Sequence, residues 1–205
     1  MSSGGKRVNN SPIQQRPVDC KVGSLAELRQ LLWEEGIETS QWSHQQGNKT
    51  IEDLWREISI GESYLKRVEG KLTRLLRVSA VEVIFTLGER RFQLVEDKQI
   101  FLNSGIVRQR ELNVITEKIR GRENPLSAAY RGLMEEVNLK VTTPLNFLGE
   151  TYWQKISPSY PHLSSLYQVF HYQAILGERE LITVRFSEYR EQENILSLFT
   201  LKPLH

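Results

Sequence analysis

Three ionisable residues between positions 131 and 136 have the spacing of a site for a hard divalent cation. Glu135 and Glu136 are adjacent, and Arg131 precedes Glu135 by one helical turn. On a helix, Arg131 and Glu135 fall on one side, and Glu136 lies at its flank. Carboxylate oxygens are the ligands that Mg²⁺ prefers in proteins. These residues therefore predict a cation site on one helix.

The neighbouring residues predict where this helix begins and ends. Asn124 is a good N-cap, Pro125 suits the first helical position, and Asn138 tolerates the left-handed conformation that ends many helices. The same periodicity puts Gly132 on the polar side, so we expect the fold to tolerate Gly132→Glu. The apolar stripe consists of Leu126, Ala129, Tyr130, Leu133 and Val137.

The segment from residue 117 to residue 139 resembles the signature of the Nudix hydrolases, G-x5-E-x7-R-E-U-x-E-E-x-G-U, in which U is aliphatic. Three positions differ: Glu117 replaces the first glycine, Gly132 replaces the glutamate after the arginine, and Asn138 replaces the last glycine. The spacing is strict, so the motif is fairly specific for the family. The matching residues are Glu123, Arg131, Leu133, Glu135, Glu136 and Leu139.

The resemblance implies metal-dependent hydrolysis of a nucleoside diphosphate linked to another group. It implies that Arg131, Glu135 and Glu136 are catalytic, and that Glu123, Glu135 and Glu136 hold Mg²⁺ or Mn²⁺. Because Gly132 offers no carboxylate, this activity is expected to be weak or atypical. A base could come from elsewhere in the chain, where the candidates by residue type are Glu150, Glu188 and Glu191.

Two other interpretations of the same residues stay open. In the first, the chain is a catalytically inactive Nudix-like module that binds a nucleotide or RNA, or serves as a structural subunit of a larger assembly. In the second, residues 124–138 are an ordinary solvated amphipathic helix, in which Arg131 and Glu135 form an i,i+4 pair.

A few residues are candidates for binding a substrate, and only their residue type identifies them. Lys118 could bind a phosphate, and Tyr160 could stack on a base, as could Trp153 or Tyr167. A surface or packing role is the alternative for each of them. The histidines lie at positions 44, 162, 171 and 205, without the spacing of a metal site.

Composition restricts the class of protein and its partners. The net charge of +2 gives no general reason to expect nucleic-acid binding, although it does not exclude binding through a local basic patch. A single cysteine, Cys20, fits a cytoplasmic or other reducing compartment. The sequence has no apolar signal region and no run long enough to span a membrane, so no membrane partner is expected. A nucleoside diphosphate-type small molecule is the expected ligand, and a homodimer or larger assembly is an open alternative.

The order of elements predicts an α+β protein, a Nudix-like α/β/α sandwich with a mixed sheet and an N-terminal helical extension. Residues 1–22 are expected to be a flexible segment, 23–78 the helical extension and 79–205 the Nudix-like domain. The extension is expected to hold three helices, starting at Ser24, Thr50 and Glu62. Strands are predicted at 81–85, 91–95, 114–119, 145–153, 166–176 and 181–186, and residues 193–199 fit either a helix or a strand.

Overall fold

Ten β-strands, four α-helices and one 3₁₀ turn lie in residues 18–191 and 194–204, the part of the chain that this computed structural model describes. The helices are α1 (Leu25–Glu34), α2 (Ile51–Ser59), α3 (Pro125–Val137) and α4 (Glu178–Leu181), and the 3₁₀ turn is His44–Gln46. The strands are β1 (Val18–Asp19), β2 (Tyr64–Val68), β3 (Lys71–Leu87), β4 (Arg90–Phe101), β5 (Ile106–Leu112), β6 (Ile115–Lys118), β7 (Asn146–Ile156), β8 (Ser164–Leu176), β9 (Ser187–Arg190) and β10 (Ile195–Leu204). The predicted α+β class is confirmed. Most of the predicted flexible segment, residues 1–17, lies outside the described residues, as does His205.

The chain forms two compact units, each with its own apolar core. Unit 1 contains the residues up to Val78 together with Lys118–Glu123 and Glu150–Val169, and unit 2 contains the remainder. Strands β3, β6, β7 and β8 each contribute residues to both units. Unit 1 thus includes two segments that the sequence analysis assigned to the domain spanning residues 79–205.

The first two helices of unit 1 form where the sequence predicts them. The hydroxyl of Ser24 accepts a hydrogen bond from the backbone N–H of Glu27, and Thr50 and Asp53 form a reciprocal capping box at the start of α2. Trp42, from the loop between these helices, is buried in the core of the unit. That core consists of Leu28, Leu32, Trp42, Leu54, Leu65, Leu72, Tyr160 and Leu163.

The predicted third helix, residues 62–77, is wrong, because this segment forms the hairpin of β2 and β3. Val68 pairs with Lys71, and the two residues between them, Glu69 and Gly70, have φ angles of 52° and 76°. Positive φ at both central residues is the geometry of the tight turn that joins antiparallel strands. The apolar spacing of the segment fits a helix as well as two half-buried strands, and this turn selects the strands.

A buried ion network lies in unit 1 around Glu57. Its carboxylate contacts the guanidinium of Arg74, accepts a hydrogen bond from the hydroxyl of Ser63 at 2.9 Å, and lies 3.0 Å from the ammonium groups of both Lys49 and Lys118. Glu57 is 4% exposed and Arg74 is 3% exposed. Burying either charge without the other would be costly, so the network requires both partners.

In unit 2, the strands are arranged around β4. On one side, β4 pairs antiparallel with β10 from Arg91 to Phe101, and β9 continues beyond β10. On its other side, β4 pairs antiparallel with β3 near its start and with β5 near its end. Of residues 193–199, left ambiguous by their pattern, 195–199 lie in strand β10, and residue 193 is outside the described residues. The core of this unit includes Val83, Phe85, Leu94, Ile115, Ala129, Leu133, Val137, Tyr172, Ala174 and Phe199.

The strand predicted at 181–186 is also wrong. Gly177 starts the short helix α4, in which the carboxylate of Glu180 accepts a hydrogen bond from the Gly177 backbone N–H at 3.0 Å. The strand of this region is β9, which begins at Ser187. The capping geometry of Glu180 favours a helical turn over an extended backbone here.

Candidate functional site

Helix α3 has the ends that the sequence predicts. The Asn124 side chain accepts a hydrogen bond from the Leu126 N–H at 2.8 Å, Pro125 occupies the first turn, and Asn138 ends the helix with a φ of 55°. Ala129, Leu133 and Val137 are buried in the core of unit 2 as predicted. Three residues differ from the predicted pattern. Leu126 is 38% exposed, whereas Ala128 and Gly132 are buried.

Arg131 holds two carboxylates at a single guanidinium nitrogen. Its Nη1 lies 2.8 Å from Oε1 of Glu117 and 3.3 Å from Oε2 of Glu135. The side chains of Arg131 and Glu117 are 19% and 12% exposed, whereas that of Glu135 is 50% exposed. Glu135 comes from the same helix and was predicted to lie near Arg131. Glu117 comes from strand β6 and was not predicted as a site residue.

The expectation that Gly132 lies on the polar side of the helix, where the fold would tolerate Gly132→Glu, is wrong, because Gly132 is buried and Glu117 fills the adjacent space. A Cβ atom at position 132 would lie 2.7 Å from the Cβ and 3.3 Å from the Cγ of Glu117. Ile115 precedes Glu117 by two residues on β6 and is buried in the core with Leu133. Since side chains two apart on a strand share a face, Glu117 points towards α3. Helical periodicity alone could not reveal a neighbour that belongs to a strand.

Glu136 faces a different arginine from the one that Glu135 contacts. Its Oε2 lies 2.9 Å from Nη2 of Arg190, and Nε of the same guanidinium lies 2.9 Å from the carboxylate of Glu188. Burial, together with the neighbouring Glu188, raises the pKa of Glu136 to about 8, despite the opposing charge of Arg190. Glu188, a base candidate by residue type, is therefore part of this second cluster.

Substituting Glu136 should change how the stability of the protein depends on pH. The folded state holds the proton of Glu136 more tightly than the unfolded chain, so the protonated side chain stabilises the folded state. This contribution to the free energy of unfolding is fully present below the ordinary carboxyl pKa and is lost as the pH rises through about 8. We expect the free energy of unfolding of the wild type to fall by about 4 kcal/mol between pH 5 and pH 8.5. Glu136→Gln should remove most of that fall, as measured by urea denaturation at several pH values. Glu89→Gln, at an exposed turn position, is the control and should keep the wild-type slope.

Glu123 closes a turn in unit 1. Its carboxylate accepts a hydrogen bond from the Arg120 N–H at 3.0 Å, and its own N–H donates to the Arg120 carbonyl at 2.8 Å. Of the residues predicted to hold a metal, Glu135 and Glu136 thus contact different arginines, Arg131 and Arg190. Within the described ranges, no group of three His, Cys, Asp or Glu residues is arranged to hold a metal ion.

The substrate-binding candidates lie in unit 1. The ammonium group of Lys118 lies 3.0 Å from Glu57 and 3.1 Å from Glu62, so its charge is balanced by carboxylates. Tyr160 is wrong as a stacking residue, since its side chain is fully buried beside Trp42, with ring centroids 5.0 Å apart. Trp153 and Tyr167, the other aromatic candidates, stack on one another with centroids 4.0 Å apart.

Glu117 and Glu135 fit one way in which proteins bind Mg²⁺. This cation is commonly held by one or two carboxylates, with water and substrate phosphates completing its shell, rather than by a cage made only of protein ligands. The two carboxylates at Arg131 supply oxygen donors of the required type, and Glu135 is half exposed. They suit a cation that arrives with a phosphate-containing ligand.

Comparison with known proteins gives structural similarity only. No protein-family model and no curated protein matches the sequence. Among solved structures, an Ap4A hydrolase from C. elegans is similar to this chain with a TM-score of 0.39 and 13% sequence identity. The similar region covers 62% of this chain and 78% of the hydrolase chain. A NUDIX domain of Shewanella oneidensis NrtR, solved with ADP ribose, is 10% identical, covering 62% of this chain and 73% of its own at a TM-score of 0.33.

The second of these structures belongs by name to the family that residues 117–139 resemble. Both TM-scores are below 0.5, so the activity and ligand of this chain have to be argued from its own geometry. No helix in the described part of the chain has the length and apolar character needed to cross a membrane.

Proposed function

We propose that unit 2 hydrolyses the pyrophosphate bond of a nucleoside diphosphate-linked compound that binds together with Mg²⁺ or Mn²⁺. The observation that supports this proposal is the pair of carboxylates, Glu117 and Glu135, held at one nitrogen of Arg131. When bound, such a cation neutralises charge on the phosphate oxygens and lowers the pKa of a coordinated water.

The protein residues have distinct roles in this proposal. Arg131 contacts two neighbouring carboxylates, reduces the repulsion between them, and holds Glu117 in one orientation. Glu135, at the half-exposed edge, can turn towards a bound ligand. Because Glu136 is engaged by Arg190, this site presents fewer available carboxylates than the motif implies, and slow turnover is expected.

The second candidate function is a module that binds its ligand without hydrolysing it. It is favoured by the position of Glu136, which Arg190 and Glu188 hold in a buried cluster with a raised pKa. A nucleotide, an RNA or a larger assembly is the partner in that case. Hydrolysis and binding are separable by experiment, because only the first requires turnover.

The test is a screen of nucleoside diphosphate compounds with the purified protein in the presence of Mg²⁺ or Mn²⁺. We expect slow release of a nucleoside monophosphate that stops when the cation is chelated. Glu135→Gln should lower kcat by about 10²-fold or more, as expected for the loss of a functional carboxylate. Glu89→Gln, an exposed glutamate of the same unit, should leave the rate unchanged. Equal rates in wild type and Glu135→Gln would contradict the proposal, and ligand binding without turnover would favour the second candidate.

A further inference from the structure

Two departures from the motif are reciprocal: position 117 has a glutamate in place of a glycine, and position 132 has a glycine in place of a glutamate. We infer that Glu117 supplies, from strand β6, the carboxylate that helix α3 lacks at Gly132, and is a catalytic residue of the proposed reaction. This inference depends on the proposed function for its catalytic part. Its structural part stands on the packing of the two residues alone.

The first step is steric. Gly132 has no backbone requirement for glycine, because it lies within α3 and its φ angle is not positive. A glycine inside a helix costs up to about 1 kcal/mol relative to alanine, so its presence needs a packing reason. That reason is Glu117, whose Cβ would be 2.7 Å from any Cβ at position 132. The contact involves the stem of the glutamate, which cannot move away without moving β6.

The second step concerns where the carboxylate of Glu117 ends. The side chain of Glu117 passes over Gly132. Its Oε1 lies 2.8 Å from Nη1 of Arg131, the residue that precedes Gly132 on the helix. Residues three and four apart on a helix are neighbours, so position 132 borders Glu135 and Glu136. A carboxylate placed over Gly132 therefore lies beside the same helix turn as a glutamate at position 132 would.

The third step is electrostatic. Glu117 is 12% exposed at its side chain and shares Arg131 with Glu135, whose side chain is 50% exposed. A single guanidinium nitrogen thus contacts two carboxylates, one nearly buried and one half exposed. The half-exposed carboxylate of Glu135 is the one that a cation carried by a phosphate ligand would reach from solvent. Arg131 is the positioning residue in this arrangement, since it acts through Glu117.

The experiment exchanges the two residues in the full-length chain, singly and together. The variants are Glu117→Gly, Gly132→Glu, the double exchange and Glu117→Gln. Three quantities are measured for each: the urea midpoint of unfolding, the affinity for Mn²⁺ added alone, and the hydrolysis rate of the best compound from the screen. Met134→Glu adds a glutamate at an exposed position of the same helix and is the matched control.

We expect Gly132→Glu to lower the urea midpoint clearly in the wild-type background and much less in combination with Glu117→Gly. Glu117→Gln should keep the midpoint near that of wild type and lower Mn²⁺ affinity at least tenfold. The double exchange should recover Mn²⁺ affinity and rate that Glu117→Gly alone loses, which a merely structural role of Glu117 would not explain. Met134→Glu should resemble wild type in all three quantities.

Three results would overturn the inference: equal destabilisation by Gly132→Glu in both backgrounds, unchanged Mn²⁺ affinity in Glu117→Gln, or no Mn²⁺ binding by wild type at millimolar concentrations. A different outcome is that Gly132→Glu and Glu117→Gly are coupled in stability and Glu117→Gln weakens Mn²⁺ binding, but the protein hydrolyses none of the compounds. It would overturn the proposed hydrolysis and support the pairing of Glu117 with Gly132 as the carboxylate source.

Discussion

Replacing Glu57 with alanine should lower the free energy of unfolding by about 3–5 kcal/mol, the cost of leaving a buried charge without its partner. The variant leaves the guanidinium of Arg74, which is 3% exposed, without the carboxylate that it contacts. It also removes a partner of Lys49 and of Lys118. The measurement is urea denaturation followed by tryptophan fluorescence.

The matched control is Glu52→Ala, one turn earlier on the same helix. Glu52 pairs with Arg29 at the surface, where both side chains are more than half exposed, so its loss should cost no more than about 1 kcal/mol. Replacing Glu57 by Gln and Arg74 by Met together should recover part of the loss, because no unpaired guanidinium then stays buried. A Glu57→Ala variant as stable as Glu52→Ala would show that the network does not hold unit 1 together.

The same network predicts sensitivity to acid. Burial raises the pKa of Glu57, but the charges of Arg74, Lys118 and Lys49 outweigh this effect and hold that pKa well below its ordinary range. The folded-state pKa is therefore depressed, so this stabilisation is complete at neutral pH and is lost as the pH falls below about 4. Glu57→Gln should show a weaker loss of stability over that acidic range than wild type.

Replacing Leu133 with alanine should lower the free energy of unfolding by about 2–5 kcal/mol. Leu133 is fully buried in the core of unit 2, and its truncation removes packing and leaves a cavity. Because α3 also carries Arg131 and Glu135, the hydrolysis rate should fall as well. Loss of helical circular dichroism with urea is the measurement.

The neighbouring residue provides the control for this prediction. Met134 is 48% exposed, so Met134→Ala should change the free energy of unfolding by less than about 0.5 kcal/mol. Similar stability losses in the two variants would mean that α3 is not anchored through Leu133. The comparison keeps the helix, the unit and the replacing residue, alanine, constant, and contrasts a buried with a half-exposed apolar side chain.

Helix ends could be predicted from the sequence because their signals are local. Ser24, Thr50 and Asn124 each accept the expected capping hydrogen bond, since an N-cap needs only a side chain a few residues from the N–H that it satisfies. The β2–β3 hairpin was missed because its apolar residues fit either period. Its local signal was Glu69-Gly70, a dipeptide whose glycine permits the left-handed turn.

The candidate site could be predicted only where its residues share a helix. Arg131 and Glu135 are one turn apart, and the structure brings them together. The separation of Glu136 depends on Arg190, which lies 54 residues away in sequence and leaves no local pattern. Glu117 did leave a signal: it follows the core residue Ile115 by two positions on a strand, which directs its side chain towards α3.

The division of the chain into two cores has a consequence for spectroscopy. All four tryptophans, Trp33, Trp42, Trp55 and Trp153, belong to unit 1, and unit 2 contains none. Intrinsic tryptophan emission therefore reports the unfolding of the unit that carries the Glu57 network, and α3 belongs to the unit without a tryptophan. Far-ultraviolet dichroism sees both units, so a mismatch between the two signals during denaturation would measure how far the two cores unfold independently.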